Sequence, residues 1–474
     1  MFFVIIYAFT LFLIPVVIMK RKGPTAAIAY ILAIIFLPIV GGAIFLIFGT
    51  ERITNKGRQK FFHNRKLRKK LERMEREWAP TLAESIKLNM PRQLHDIISL
   101  GRKLSFFDAV GSNDVKILVD AEATYRKMEE LICSAERFIN LEFYIFRTDE
   151  VGEYFLNLLV EKAQQGVVVN FLYDALGSRS LGWNREFRKR FREGGVNVKD
   201  FLPLRTFIKP WNMNLRNHRK ILVVDNKVGL TGSINIGKDF LPNDKNEWRE
   251  TQVLIRGPAV TQLQWIFCED WYFATGEELL SSVYFPDATD AGDDVVQVVA
   301  SGPDIRAKAI HKIYFTAISQ ASRSIYLTTP YLILDQSLLL ALNLAAMRGV
   351  DVRILVPKES DHKIVTLAGR SFYEELMKNN IKIYEFLPGN NHAKMLIVDG
   401  YFTVIGSTNA DIRSFDFDFE LNVQTYGKRF ARQAENLFFK DLNDSRQLIL
   451  TDFINRSNLN KFGENVCRLL SPLM

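Results

Sequence analysis

Asn217-His218-Arg219-Lys220-Ile221-Leu222-Val223-Val224-Asp225, followed six residues later by Gly232-Ser233-Ile234-Asn235, is one of two stretches that share a pattern. The other is Asn391-His392-Ala393-Lys394-Met395-Leu396-Ile397-Val398-Asp399, followed after the same interval by Gly406-Ser407-Thr408-Asn409. The shared form H-x-K-x4-D-x6-G-S-x-N fixes six residue types, and one chance copy in a chain of this length has a probability on the order of 10⁻⁵. In an extended strand alternate residues share a face, so His and Lys project together while the apolar run behind them stays in a core. Asp then stands at the strand end, and a second strand brings Gly-Ser-x-Asn alongside. Each stretch thus offers an imidazole, an ammonium, a hydroxyl and an amide. Two such sets suit a phosphodiester, supplying a nucleophile, an acid/base and donors for the charge of a trigonal-bipyramidal transition state.

The surroundings of the two stretches also repeat. The strand-like run at residues 138–145 returns at 324–331, each after a helical segment. Helical patterns containing residues 156–163 and 338–346 lead through Gly166 and Gly349 into apolar strands, and further strands follow at 195–198 and 380–383. A steady separation over more than 50 residues, with helix and strand periodicities in agreement, predicts duplication of one α/β unit. The expected fold is therefore α/β, with two duplicated domains of β-sheet flanked by helices, at residues 105–289 and 290–474, and an active site at their interface.

Charge is distributed unevenly. Residues 1–80 hold 14 Lys/Arg against 4 Asp/Glu, and since the whole chain carries +9, the remaining 394 residues come to −1. That excludes a basic body binding nucleic acid by bulk electrostatics. The three scattered cysteines, Cys133, Cys268 and Cys467, exclude a disulfide scaffold or zinc ribbon. Uncharged runs at residues 2–19 and 26–48 flank a basic loop, and at 1.5 Å per residue the second is about 34 Å long, enough to cross a hydrocarbon core. Residues 1–50 are thus expected to form a transmembrane hairpin rather than a cleaved signal peptide, for which no basic segment precedes the apolar run. Ten cations in residues 52–73 place the larger part of the chain in the cytoplasm by the positive-inside bias. Residues 51–104 read as a basic juxtamembrane helical linker, lying on anionic lipid or solvated.

In these residues the chain resembles the phospholipase D superfamily, whose signature is the duplicated motif, and within it the bacterial cardiolipin synthases. Those also begin with a two-span hairpin. The further matches are Tyr144-Ile145-Phe146 with Asp149, Asp174 with Gly177-Ser178, and Asn409-x-Asp411-x-Arg413-Ser414; Tyr30, Gly232-Ser233 and Trp248-Arg249-Glu250 depart from the usual pattern. The resemblance implies phosphatidyl transfer between two molecules of phosphatidylglycerol at an anionic membrane, giving cardiolipin and glycerol, with no cofactor and no metal.

The candidate catalytic set is His218, Lys220, Asp225, His392, Lys394 and Asp399. The resemblance makes His218 the nucleophile and His392 the acid and base, although pseudo-symmetry leaves the swapped assignment open. Lys220 and Lys394 would neutralise the phosphate, helped by Asn235 and Asn409, with Ser233 and Ser407 as nearby donors. Glu250 and Glu420 would bond the inner imidazole nitrogens, and Asp225 and Asp399 are read as architectural, holding the strand ends. The alternation of Asp416, Asp418 and Glu420 with Phe415, Phe417 and Phe419 reads as a strand with one polar face rather than a cation site. His63, His95, His311 and His362 lack ligand spacing. Water or another alcohol as acceptor, or a nuclease using the same chemistry, stays open at this point, as does the oligomeric state.

Overall fold

The computed structural model describes residues 10–20, 24–46, 90–203, 215–242, 247–286, 289–303 and 308–471. The first half contributes β1 (Val110–Val119), β2 (Phe138–Phe143), β3 (Val168–Asp174), β4 (Asn197–Phe201), β5 (Ile221–Val224), β6 (Val228–Gly232), β7 (Glu247–Arg249) and β8 (Thr251–Arg256). The second contributes β9 (Asp294–Ser301), β10 (Ser324–Thr328), β11 (Leu332–Ile333), β12 (Asp351–Pro357), β13 (Lys382–Phe386) and β14 (Gly389–Asn391). It continues with β15 (Met395–Val398), β16 (Phe402–Gly406), β17 (Ala410–Asp411), β18 (Glu420–Tyr426) and β19 (Ser445–Gln447).

The duplication is visible in the strand order. From the middle outward the first half runs β1-β8-β6-β5-β2-β3-β4, and the second runs β9-β18-β16-β15-β10-β12-β13 with β19 added at the edge. Each half has a parallel trio, β2-β3-β4 or β10-β12-β13, joined to an antiparallel hairpin that carries the motif, β5-β6 or β15-β16. The crossover helices begin alike. Asp149 caps Glu150–Gln164 by accepting from the amides of Val151 and Gly152, and Asp335 caps Gln336–Met347 by accepting from that of Leu338.

The sequence leads one to expect separate sheets; the structure joins them. β1 pairs antiparallel with β9 through Val110↔Val296 and Asn113↔Asp294, making one continuous sheet of fifteen strands among the described residues. A shared core lies over this junction, where Trp265, Phe267 and Trp271 of helix Ala259–Thr275 meet Phe430, Ala434 and Phe438 of helix Lys428–Asn443. Two further cores cover the trios, one around Leu141, Phe155 and Phe171, the other around Leu327, Leu342 and Ile354.

Three further expectations change. Helix Arg92–Ser105, assigned from sequence to the basic linker, buries Leu94, Ile97 and Ile98 in the core of the second half beside Ile310 and Ile313. The reason is its pattern: apolar positions three and four apart give it one apolar face, despite its charges. The second apolar run is not one helix but two, Pro24–Phe36 and Pro38–Ile44, broken at Leu37, whose φ −133° and ψ 67° leave the helical region. Pro38 causes this, because its ring disfavours a helical residue before it. No helix among the described residues is long and apolar enough to cross a membrane. The basic stretch 52–73 lies outside the described residues. Thirdly, residues 412–416 form a short helix capped by Asp411, which accepts from the Ser414 amide at 2.6 Å, so the strand expected through Phe415–Phe419 starts only at Glu420.

Candidate active site

The motif histidines lie just before β5 and β15, and each is held by the other half. The His218 amide donates to Phe419 O at 2.9 Å and the Phe419 amide to Arg216 O at 2.8 Å. On the opposite side β14 pairs with β7, and the His392 amide donates to Arg249 O at 2.8 Å. These crossings bring each histidine to the glutamate that follows its partner strand. His218 Nδ1 lies 3.0 Å from Glu420 Oε1, and His392 Nδ1 lies 2.8 Å from Glu250 Oε1. In both pairs Nδ1 is engaged and Nε2 is left for chemistry. The site is reciprocal: each half supplies the imidazole of one pair and the carboxylate of the other. Sequence order hid this exchange, because Glu250 follows the first motif and Glu420 the second.

The lysines complete the site. Lys220 Nζ donates to His218 O at 2.7 Å and Lys394 Nζ to His392 O at 2.6 Å, so each ammonium is anchored beside its own histidine. Both are fully buried, and burial pulls Lys220 down to about 7 and Lys394 to about 8, against the pull of Glu420 and Glu250. Lys220 also sits over the Tyr144 ring, 5.4 Å from its centroid.

The imidazoles differ. Burial and the cations Lys220 and Lys394, with His392 behind them, push His218 well below its ordinary value. Burial also lowers His392, but there Glu250 opposes it through charge and a hydrogen bond. Glu250 itself stays below the usual carboxylate range, because His392 and Lys394 outweigh its burial, whereas burial wins at Glu420 and raises it. His218 is thus the imidazole kept neutral, and His392 the one whose carboxylate favours a proton.

The remaining predicted residues divide. Ser233 and Ser407 bond the glutamates and the strands that carry them. Ser407 Oγ bonds Glu420 Oε2 and accepts from the Leu421 amide at 3.0 Å, and Ser233 Oγ accepts from the Thr251 amide at 2.9 Å beside Glu250. They orient the glutamates. The preceding glycines permit this, since a Cβ at Gly232 or Gly406 would run into Thr251 O or Leu421 O. Asn235 Oδ1 accepts from the Ile145 amide at 3.1 Å, leaving Nδ2 as its donor, while Asn409 Oδ1 is buried without a partner.

Asp225 and Asp399 do not join the site. They stand five residues beyond the lysines, about 17 Å along a strand, each at positive φ in the hairpin turn. Asp225 accepts from the amides of Glu136, Arg137 and Phe138, and Asp399 from those of Ser322, Arg323 and Ser324. Their task is to pin the loop leading into β2 and β10. Asp174 has a related task near the site, receiving Arg216 at 3.1 Å and the Asn217 amide at 2.9 Å. Tyr144 and Trp248, noted in the sequence only as motif positions, and Tyr331 wall the site: Tyr144 lies 4.9 Å from His218, Trp248 5.4 Å and Tyr331 6.4 Å from His392. Asp416 and Asp418 are engaged by Lys308 and Arg413, and burial drives Asp418 up to about 7.

The family model "Cardiolipin synthase, PLD-like domain" matches residues 128–271 and 314–442, one copy on each half. The chain belongs to this family. Relatives agree along its length: the cardiolipin synthase of Geobacillus kaustophilus is 36% identical, over 100% of this chain and 94% of that one. The cardiolipin synthase of Alkalihalophilus pseudofirmus is 35% identical over 97% of this chain and 91% of its own. That of Clostridium perfringens strain 13 is 36% identical over 96% and 95%. Among solved structures, the phosphatidylserine synthase of Haemophilus influenzae matches with a TM-score of 0.61 at 14% identity, covering 81% of this chain and 100% of that one. This last likeness concerns the fold, and it spans both halves of the sheet. Membership makes the chain an enzyme of the phosphatidyl-transferring class, the class to which a site of two imidazoles and two ammoniums is suited.

Proposed function

We propose that the protein is a cardiolipin synthase working in two steps on phosphatidylglycerol. Neutral His218 attacks the phosphorus of one phosphatidylglycerol through Nε2, forming a P–N bond. The P–O bond to glycerol breaks, and His392, protonated, gives its proton to the departing oxygen. A hydroxyl of a second phosphatidylglycerol then attacks the phosphorus, its proton passes to neutral His392, and the P–N bond breaks. Cardiolipin and free His218 result. Lys220 and Lys394 hold the nonbridging oxygens throughout, with the amides of Asn235 and Asn409 as further donors.

The observation that carries this reading is the crossed pairing of His218 with Glu420 and His392 with Glu250. It seats both imidazoles in a single site, each with Nδ1 on a carboxylate, and the surrounding charges favour a proton on His392 over one on His218, which supports two-step transfer. The apolar N-terminal helices support a membrane setting: Phe12, Ile18, Met19 and Phe36 are all exposed on them, more apolar surface than water favours. In this reading residues 1–50 anchor the chain in the cell membrane as a hairpin, the catalytic halves face the cytoplasm, and the substrates arrive from the anionic lipid.

A product assay tests the proposal. Purified protein in mixed micelles with phosphatidylglycerol and EDTA is expected to release cardiolipin and glycerol one to one, and the His218→Ala variant neither. Phosphatidic acid in place of cardiolipin would make water the acceptor and the enzyme a hydrolase.

A further inference from the structure

The two imidazoles are not equally furnished at the mouth of the site. Beyond β12 the chain turns outward and places Asp361 beside His392, with one-third of its side chain exposed. The Tyr331 hydroxyl donates to Asp361 Oδ1 at 2.6 Å, and Asn390 Nδ2 lies 3.5 Å from the same oxygen. Tyr331 stands edge-on to His392, and Asn390 is two residues before it, so both supports of the carboxylate belong to the wall around that imidazole. Burial would raise the Asp361 carboxyl, but the charge of His392, the Tyr331 hydroxyl, His362 and Lys394 outweigh it, so it stays ionised. Asn390 is 2% exposed and its Oδ1 has no partner. The wall around His392 therefore holds two oxygen acceptors with capacity to spare, one of them charged.

The acids on the His218 side are committed. Asp174, at the end of its parallel strand, is buried and spent on the amides of Leu176, Gly177 and Asn217 and on Arg216. Asp418, next to Phe419, is buried and bonded to Arg413, and burial pushes it up to about 7. An ionised, part-exposed acceptor at one imidazole alone fits a headgroup that brings more hydroxyls than the reaction consumes.

We infer that Asp361, presented by Tyr331 and assisted by Asn390, is the specificity residue for the acceptor, binding the second hydroxyl of a vicinal diol while the first attacks phosphorus. The inference rests on the function proposed above and deepens it. The attacking oxygen forms its bond to phosphorus as the bond to His218 breaks, and its proton goes to Nε2 of His392. Asp361 takes no proton; it accepts a hydrogen bond from the hydroxyl that does not react. Water and simple alcohols lack that second hydroxyl, so the contact favours the diol over both.

The test is a competition in mixed micelles. Phosphatidyl-p-nitrophenol serves as donor, because its leaving group needs neither a proton nor a diol, and glycerol competes with 1-propanol as acceptor. The ratio of phosphatidylglycerol to phosphatidylpropanol needs no correction for the amount of active protein. Asp361→Ala is expected to lower that ratio about ten-fold, the scale of one hydrogen bond to a charged group. Asp361→Asn, which keeps the shape and loses the charge, and Tyr331→Phe, which loses the hydroxyl that presents it, should each lower the ratio about three-fold. A ratio unchanged in Asp361→Ala would overturn the inference. Loss of p-nitrophenol release in both Asp361 variants would place the residue in the framework of the site and overturn it equally. Wild-type protein that makes no cardiolipin from phosphatidylglycerol would instead defeat the function proposed above.

Discussion

Arg219 and Ala393 hold the same position in the two motifs, between His and Lys, and around them the halves differ most. The Arg219 guanidinium is buried, pairs with Asp270, and donates from Nε to Glu420 O and from Nη2 to Ser301 O, each at 3.2 Å. Beside it Asn217 Nδ2 donates to Glu142, a carboxyl that burial and the neighbouring Asp270 drive well above its ordinary value. In the second half Ala393 replaces Arg219 and Thr328 replaces Glu142, with Asn391 Nδ2 and Thr328 Oγ1 left without partners. The backbone register is the same in both: Glu142 lies opposite Ile221 on β5, and Thr328 opposite Met395 on β15. One scaffold therefore carries two interiors. The charged one lies beneath His218, and through Glu420 O it fixes the residue whose carboxylate bonds His218. The polar but uncharged one lies beneath His392.

The largest consequence expected of this asymmetry is chemical. His218→Ala should abolish transfer and any covalent phosphatidyl-enzyme. His392→Ala should lower turnover by about 10²–10⁴, the usual worth of a general acid/base, yet still form the covalent species from a donor with a good leaving group. Acid quench and mass spectrometry of the intact protein read this directly. A phosphorylated His392 in the His218→Ala variant would reverse the roles.

Stability should break the comparison next. Arg219→Ala removes the cation paired with buried Asp270, and removing one member of a buried ion pair costs about 3–5 kcal/mol. Ala393→Ser at the matching site should cost under about 1 kcal/mol. Denaturant unfolding of the two variants checks the contrast; similar losses would mean that the buried charges are not what distinguishes the halves.

How much of this was legible beforehand follows from the range of the interactions. The strand and helix order could be read because it rests on local periodicity, and the repeat confirmed each element against its copy. His218, Lys220, His392 and Lys394 could be found because a strand's alternation puts them on one face. Glu250 and Glu420 came from the resemblance, but their crossing could not be read, since nothing in the separation of Glu250 from His218 says that it will bond His392; only the pairing of β7 with β14 decides that. The hydroxyls of Ser233 and Ser407 reach those glutamates for the same reason, because β6 pairs with β8 and β16 with β18. The break at Leu37 was legible in Pro38, but hydropathy alone concealed it. The joined sheet depends on two edge strands, β1 and β9, neither of which carries a motif.

The glutamates offer a finer comparison through pH. Glu250 lies below the usual carboxylate range and favours the proton on His392, so Glu250→Gln should lower the pKa of His392 further. Leaving-group protonation needs His392 protonated and is lost as pH rises through that pKa. The alkaline limb of the kcat/KM profile should therefore move to lower pH, and activity at pH 7 should fall about ten-fold. Glu420→Gln touches the imidazole that works neutral, so it should leave that limb in place and reduce the rate through orientation. Identical shifts of the alkaline limb in both variants would erase the proposed division of labour.

The smallest effect concerns the lysines, where the halves should agree. Burial holds Lys220 at about 7 and Lys394 at about 8, so near pH 8 the empty site carries much less than two positive charges. A phosphodiester anion between them favours the ammonium form of each and raises both values. Binding near pH 8 should then take up about one proton, and affinity should fall as pH rises through the interval from 7 to 8. Below about pH 6 both lysines are already charged and the uptake should vanish. Calorimetry with glycerophosphoglycerol, the deacylated donor, in two buffers of different ionisation enthalpy measures the proton directly. Binding without proton uptake at pH 8 would mean that the lysines are charged before the phosphate arrives, and that the site attracts its substrate instead of being completed by it.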